Sequence, residues 1–393
     1  MSLDGFVTYR EGKTSLLVPS TSLGKGPPEL SPAFFNPRGR TVRDISVLAF
    51  EAFAEGLASQ PTFADPLSGV GARSLRVAVE CPGVSSIMAN DLNPTAIRAA
   101  ELAAKVNGCA GRIAFSTLDA NLFLAGLAAP DARPGIIDID PFGTPAPFVE
   151  SALRAVADGG LLAVTATDTA VLSGLYPDVA YRKYGARALR TDYSRESMLR
   201  ILVGLVAHRA LVYDMAVDPL LCHADQHYAR AYCRVRISAS DANASLASIG
   251  YILHCFKCGH REAASAVREL CPACGGKLKA AGPLWLSDLH DGAFLDSLVG
   301  LASGRSMKRY LPLFARAKDE LGFPPYYYKI PHFTDGLGIA SVSPTELALR
   351  LESKGFSGVR SSVDGQGVKT DAPVSALLEA LRAGQPSKPR PTK

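Results

Sequence analysis

The sequence predicts an α/β protein built on a doubly wound, mostly parallel sheet, followed by a small cysteine ribbon and a second α/β unit. Three observations predict it. Short apolar runs alternate with helical patterns from Pro61 onward, the order that right-handed crossovers turn into a parallel sheet. Several of those runs end in an acid, at Asp65, Asp91, Asp119 and Asp140. Beyond them, Cys255, Cys258, Cys271 and Cys274 form two Cys-x-x-Cys knuckles, each with a glycine close behind.

Taken in order, Phe6–Lys13 and Leu16–Pro19 predict a small hairpin. Pro32–Asp44 then packs two aromatics, two prolines and three arginines into thirteen residues. Pro and Gly there predict an irregular loop, and Arg43-Asp44 before Ile45–Phe50 marks a helix start. Such a loop can stack a base on Phe34 or Phe35 and aim Arg43 at a carboxylate. A surface loop with one buried Phe is the plain alternative.

Strand and helix patterns alternate next. Strands are expected at Thr62–Asp65, Val84–Asp91, Arg112–Leu118, Ile136–Asp140 and Leu161–Asp168, with helices at Ala72–Val79, Thr95–Val106 and Phe148–Ala157. A helix near Glu196–Arg209 and strands at Leu211–Val217 and Tyr228–Ser238 close the sheet. Ser238–Ser248 reads as a linker. Helices near Leu347–Ser353 and Ser375–Ala383 make the last part α/β, and the Pro-rich basic tail Gln385–Lys393 is expected to be disordered.

The 393 residues suggest two or three domains at roughly 150 residues each. No apolar run approaches the roughly 20 residues of a membrane helix. The N-terminus lacks the basic-then-apolar order of a signal peptide, so a cytoplasmic location is expected, and no protein partner is evident. From Gly275 onward there are 16 Lys/Arg against 11 Asp/Glu, which accounts for the whole net charge of +5. A basic outer domain on a neutral core suits a phosphate-rich partner, and Tyr326-Tyr327-Tyr328-Lys329 with His332 offers rings and charge for RNA. A packed core explains such rings equally. Cys81, Cys109, Cys222 and Cys233 read as reduced core residues.

The chemistry gathers at the strand ends. Ser68-Gly69-Val70-Gly71 is a glycine turn between strand and helix, without the Lys-Ser/Thr of a phosphate loop. Asp91 ends the second strand, where a carboxylate can accept both ribose hydroxyls, and Asp119 ends the third, facing an adenine amine. A nucleoside cofactor without phosphate chemistry fits, and S-adenosylmethionine is such a cofactor. Arg43 and Arg73 can hold its carboxylate, although surface salt bridges occupy many arginines. Asp140-Pro141-Phe142-Gly143 stops the central strand abruptly. A carboxylate beside a flat ring can hold an exocyclic amine and take its proton while Phe142 and Phe34 or Phe35 sandwich a flipped base. Asp138, on the other face of the strand by period two, is expected to be structural. The Cys255–Cys274 knuckles predict a closed, structural zinc site.

These residues resemble the tRNA (guanine-26) N2-dimethyltransferases of archaea and eukaryotes. The resemblance is carried by Glu11-Gly12-Lys13, Phe34-Phe35-Asn36-Pro37 with Arg43-Asp44, and Asn90-Asp91-Leu92-Asn93-Pro94. Asp138–Pro145, Thr165–Gly174 and Gly282–Leu286 extend it over nearly the whole chain. It implies a Rossmann-like class I methyltransferase domain over 1–247 and an RNA-binding domain over 248–393 that includes a zinc segment at 251–280. It also implies cofactor contacts at Arg43, Arg73, Asp91, Asp119 and Ala120, catalysis by Asp140, and tRNA as substrate. Val42 stands where the family usually has Asn, and Gly39 where a bulkier residue is frequent. Two other readings stay open: an amino methyltransferase acting on adenine N6 or ribosomal RNA guanine, and a non-catalytic zinc-ribbon RNA-binding protein.

Overall fold

The computed structural model describes residues 3–26 and 28–383, so the tail Gln385–Lys393 lies outside the described residues. Strands β1 (Phe6–Glu11) and β2 (Thr14–Pro19) form the expected hairpin around Gly12, whose φ of 60° suits glycine. Helix α1 (Arg40–Glu55) begins earlier than the sequence suggested, because a short 3-10 turn at Pro37–Gly39 runs directly into it.

The alternating segment follows as β3 (Phe63–Asp65), α2 (Ala72–Glu80), β4 (Ile87–Asn90), α3 (Pro94–Val106), β5 (Ile113–Ser116), α4 (Ala120–Gly126), β6 (Ile136–Ile139), α5 (Ala146–Ala155) and β7 (Leu161–Ala166). After α6 (Thr169–Leu172), α7 (Pro177–Tyr184) and α8 (Ser194–Leu211), strands β8 (Met215–Asp225) and β9 (Tyr228–Ile237) complete a seven-stranded sheet. Its order is β5-β4-β3-β6-β7-β9-β8, with the first five strands parallel and β9 antiparallel to both its neighbours, β7 and β8. The chain enters at β3, winds outward through β4 and β5, and returns to β6 on the other side of β3. The ends of β3 and β6 therefore flank the switch point, where open α/β sheets bind ligands.

The expected linker at Ser238–Ser248 is instead helix α9 (Ala239–Leu246). Ser238 caps it by accepting the Asp241 N–H, a Ser-x-x-Asp start hidden in small polar residues. Strands β10 (Ile249–His254), β11 (Arg261–Ala264) and β12 (Lys279–Trp285) form the antiparallel ribbon. Helices α10 (Gly292–Gly304) and α11 (Leu311–Asp319) then turn back: Phe294, Leu295, Leu298 and Phe314 join one hydrophobic cluster with Phe50, Phe53 and Leu75. Strand β13 (Tyr328–Lys329), helices α12 (Ile330–Leu337) and α13 (Pro344–Glu352), strands β14 (Gly358–Arg360) and β15 (Gly367–Thr370), and α14 (Val374–Arg382) finish the chain.

The tyrosines offered to RNA are core. Tyr326, Tyr327 and Tyr328 are buried, and Tyr326, Tyr328, Tyr193 and Phe333 surround the buried Arg261 guanidinium. Arg261 also pairs with Asp192 at 3.1 Å, so this cluster fastens the ribbon to the sheet domain and to α12. Among the described residues no helix is long and apolar enough to cross a membrane.

Candidate active site and cysteine cluster

The β3 and β6 register sets Ala64 beside Ile137, which brings Asp65 and Asp138 together at the strand ends. Both are buried, and the sheet is covered on both faces, so the Ile/Asp alternation in β6 does not mark a solvent face. Arg73, in the first turn of α2, stabilises this acid group. Its Nη1 donates to Asp138 and to Asp140, each at 2.7 Å. From the far side Arg230 on β9 donates to the other Asp138 oxygen at 2.7 Å and to Thr165. Asp138 is thus fully paired, as a structural acid should be.

Asp140 differs from it. Its side chain is 31% exposed and, among the described residues, has only Arg73 as an ion-pair partner, so it is the acid that faces the crevice. Burial pushes its pKa up, but the Arg73 and then the Arg230 guanidinium outweigh that and hold the carboxyl below its ordinary range. It is ionised at neutral pH. Asp65 goes the other way: burial and then the Asp138 charge push it up to about 7. Its carboxyl accepts the Ser74 hydroxyl at 2.7 Å.

The loops above these acids carry the rings. Phe142 is 64% exposed, and its ring meets Phe34 edge-on with centroids 4.4 Å apart. Phe35 does not share the site. It is 2% exposed, packs on Tyr9, and lies under the Arg43 guanidinium at 5.0 Å. A base between two parallel rings needs a gap of roughly 7 Å, two contacts of about 3.5 Å. The Phe34–Phe142 contact leaves no such gap, so the expected sandwich is closed in this structure.

The edge expected to take a nucleoside lies at the ends of β3, β4 and β5. Asp91 accepts the Gly69 N–H at 2.8 Å and the Asn93 N–H at 2.9 Å, which fixes the glycine turn against the end of β4. Gly71 has a φ of 73°, and a Cβ there would lie 2.8 Å from the Ala100 Cβ, so α2 and α3 approach only with glycine at this point. Asp119 is exposed and caps α4 through the Asn121 and Leu122 N–H groups, with Ala120 buried behind it. Two buried polar atoms near this edge, Ser68 Oγ and Asn121 Oδ1, have no hydrogen-bond partner among the described residues. Sequence reasoning missed Asn90. Fully buried, it bonds Pro66 O, Leu118 O, Ser116 Oγ and Leu118 N, tying the ends of β3, β4 and β5 together.

Both arginines offered to a cofactor carboxylate are turned to protein carboxylates instead. Arg73 holds Asp138 and Asp140 as above. Arg43 makes a two-point contact with Glu11, Nε at 2.7 Å and Nη2 at 2.6 Å, and its Nη2 also donates to the Asn36 carbonyl. It therefore anchors the Phe34-Phe35 loop to the hairpin. A Cβ at position 39 would sit 2.8 Å from Arg43 Nη1, so Gly39 leaves the room this guanidinium uses.

The four cysteines converge as their spacing predicted. All four Sγ atoms lie within 4.8 Å of one another, with Cys255–Cys274 at 3.6 Å and Cys258–Cys271 at 3.7 Å. A tetrahedron with zinc–sulfur bonds of about 2.3 Å has edges near 3.8 Å, so the donor set fits that ion. The two knuckles repeat each other: Gly259 N–H returns to Cys255 O and Gly275 N–H to Cys271 O, both at 2.9 Å and both with positive φ. Burial raises the Cys255 thiol, yet the Cys258 and Lys257 N–H groups bring it down to about 7.

Comparison with known proteins agrees with this geometry. The profile of the family described as N2,N2-dimethylguanosine tRNA methyltransferase matches residues 12–382. The tRNA (guanine(26)-N(2))-dimethyltransferase of Methanothermobacter thermautotrophicus is 37% identical over 386 residues, covering 97% of this chain and 100% of that one. The protein of the same name from Methanopyrus kandleri is 34% identical over 372 residues, 92% of this chain and 93% of its own. Among solved structures, Trm1 from Pyrococcus horikoshii in complex with S-adenosyl-L-methionine superposes with a TM-score of 0.83 at 29% identity, covering 95% of this chain and 99% of that one. Profile, relatives and fold coincide over nearly the full length, and the chain belongs to the N2,N2-dimethylguanosine tRNA methyltransferase family.

Proposed function

We propose that this chain methylates the exocyclic N2 of guanine at position 26 of tRNA, with S-adenosylmethionine as methyl donor and Asp140 as the acid that holds the amine. The observation that carries this reading is an ionised, part-exposed carboxylate at the switch point, with Phe142 and Phe34 at its side. The family membership and the S-adenosyl-L-methionine complex of the Pyrococcus horikoshii protein support it.

The Ser68–Gly71 turn, Asp91 and the Asp119-Ala120 step line the strand ends beside Asp140 and are the residues that would hold the cofactor. Ser68 Oγ and Asn121 Oδ1 offer it unused hydrogen-bonding capacity. S-adenosylmethionine, when bound there, supplies an electrophilic sulfonium methyl. The guanine amine is a weak nucleophile because its lone pair is delocalised into the ring. Asp140 accepts one N–H and orients that lone pair, and much of the rate comes from this positioning. The methylated amine is strongly acidic, so a carboxylate held below its ordinary range is still basic enough to take its proton.

Phe34 and Phe142 part to admit the base, and Arg43 keeps the Phe34 loop in place through Glu11. Arg73 acts as a positioning residue for Asp140. The four cysteine thiolates hold a structural zinc, which closes the ribbon rather than taking part in the reaction.

Transcripts carrying guanine or adenine at position 26, incubated with labelled methyl donor and then digested to nucleosides, test the reading. N2-methylated guanosine that maps to position 26 and is lost with adenine there is the expected product. N6-methyladenosine, or label only in ribosomal RNA, would assign the chain to a different amino methylation.

A further inference from the structure

The segment after β7 carries a surface that the reaction does not use. Leu175, Tyr176 and Tyr181 are 50, 52 and 55% exposed and stand within seven residues of one another. Directly after them stand Arg182, Lys183, Arg187 and Arg190, and the segment holds a single acid, Asp178. Arg187 pairs with Asp178 at 3.1 Å and lies over the Tyr181 ring at 5.5 Å. Arg182 and Arg190 are exposed and have no ion pair among the described residues.

This surface is joined to the catalytic loop. Gly143 N–H donates to Thr167 Oγ1 at 2.7 Å, and Thr167 N–H returns to Gly143 O at 2.8 Å. The next residue, Asp168, accepts the Tyr184 hydroxyl and pairs with Lys183 at 3.4 Å, which pins α7 beside the loop that carries Phe142. At its other end Arg190 borders a cleft of about 440 Å³ lined by His254, Phe256, Lys329 and His332 and also by the acids Asp192 and Asp335. Exposed rings beside cations, two of which (Arg182 and Arg190) have no ion pair among the described residues, are the composition that holds single-stranded nucleic acid: bases stack on the rings and phosphates meet the charge.

We propose that Leu175–Arg190 is the docking surface for the strand of the substrate RNA that carries the target base, with Tyr176 and Tyr181 stacking on nucleotides next to the flipped guanine and Arg182 and Arg190 contacting its phosphates. The proposal rests on the reading of the chain as a tRNA methyltransferase and names how that site takes hold of its polymer. An acidic protein would also be attracted by the cations, but it would have no use for two exposed tyrosines set at the rim of a base-binding site.

The test compares wild type with Tyr181→Ala and with the pair Arg182→Ala/Arg190→Ala. Affinity for unmodified tRNA is read by fluorescence anisotropy across salt concentrations, and affinity for S-adenosylmethionine by calorimetry. Tyr181→Ala should weaken tRNA binding between about five- and hundredfold, the range for a lost base–aromatic stack. The arginine pair should reduce the slope of log affinity against log salt by roughly 1.4 to 1.8. Cofactor affinity and the melting temperature should stay at wild-type values. In tRNA bearing 4-thiouridine beside position 26, crosslinks should fall in the peptide containing Tyr176 and Tyr181. Wild-type affinity and salt slope in these folded variants, or crosslinks confined to other peptides, overturn the proposal. Arg182→Ala alone removes only an exposed, unpaired group and decides the matter if another variant misfolds. Wild-type enzyme that binds tRNA through this surface but forms no N2-methylguanosine would refute the proposed reaction and leave the surface standing.

Discussion

Replacing Arg73 with methionine removes the cation that joins Asp138 and Asp140. The guanidinium lies 2.7 Å from both carboxylates and is 6% exposed, so water does not substitute for it. Removing one partner of a buried pair costs about 3–5 kcal/mol, because the remaining charge stays buried. Here Arg230 still holds Asp138 at 2.7 Å, and Asp140 can hydrate through its exposed edge, so the low end applies. The expected loss is about 3 kcal/mol at pH 7, read from equilibrium urea unfolding of the two proteins. Asp140 adds a sign. Its folded pKa is depressed, so the stability it contributes is fully present above the ordinary carboxylate range and is lost as pH falls through the depressed value. The gap between wild type and variant should therefore be widest near neutrality and narrow in acid. The acid limb of kcat/KM should move to higher pH in the variant, because Asp140 then titrates without its main counter-charge. Equal unfolding free energies at pH 7, with the acid limb unmoved, would refute the view that Arg73 sustains Asp140.

The raised Asp65 gives the opposite pH dependence. Because burial and then Asp138 lift it to about 7, its stabilising protonated form is present below the ordinary carboxylate range, and stability falls as pH rises toward 7. Asp65→Asn should flatten that slope, which urea unfolding between pH 4 and 7 would show; an unchanged slope would place Asp65 among ordinary ionised acids. Phe34→Ala should lower kcat/KM for tRNA by roughly one to two orders of magnitude through lost stacking of about 1–3 kcal/mol. Phe35→Ala should act differently, destabilising the fold by about 3–5 kcal/mol as a buried ring; if instead the two variants lose activity and stability alike, the separation of their roles fails. Metal analysis should find one zinc per chain. Chelation should lower the melting temperature, and an undiminished melting temperature after complete zinc removal would contradict a structural site.

The sheet was legible because each parallel strand is an apolar run that closes on an acid and a turn residue, as in Ile136–Asp140 and Leu161–Asp168. The cysteine cluster was legible for a similar reason, since its geometry is set by spacing inside one short segment. What escaped depends on contacts far apart in sequence. Phe34 and Phe35 are neighbours in an irregular loop with no periodicity to separate them, and only Tyr9 and Arg43 decide which is buried. Arg43 and Arg73 find their carboxylates 32 and 65 to 67 residues away, a pairing that no local pattern encodes. Tyr326–Tyr328 resemble an RNA platform until Arg261 is placed among them. The Ser238–Ser248 stretch carried a usable signal in its Ser-x-x-Asp start, which small polar composition obscured. The division at 247/248 falls between α9 and β10, yet α10 crosses back to pack on α1 with α11 against it, so burial there follows the fold rather than the order of the chain.

In the proposed reaction Asp140 acts on the guanine amine. Single-turnover methyl transfer to saturating tRNA, comparing wild type with Asp140→Asn, tests it most directly when cofactor and tRNA affinities are measured on the same proteins. Near-wild-type binding of both ligands and a chemical step slowed by at least about 10²-fold, the contribution of a positioned acid–base group, are expected. A variant that binds both and transfers methyl at the wild-type rate would contradict it.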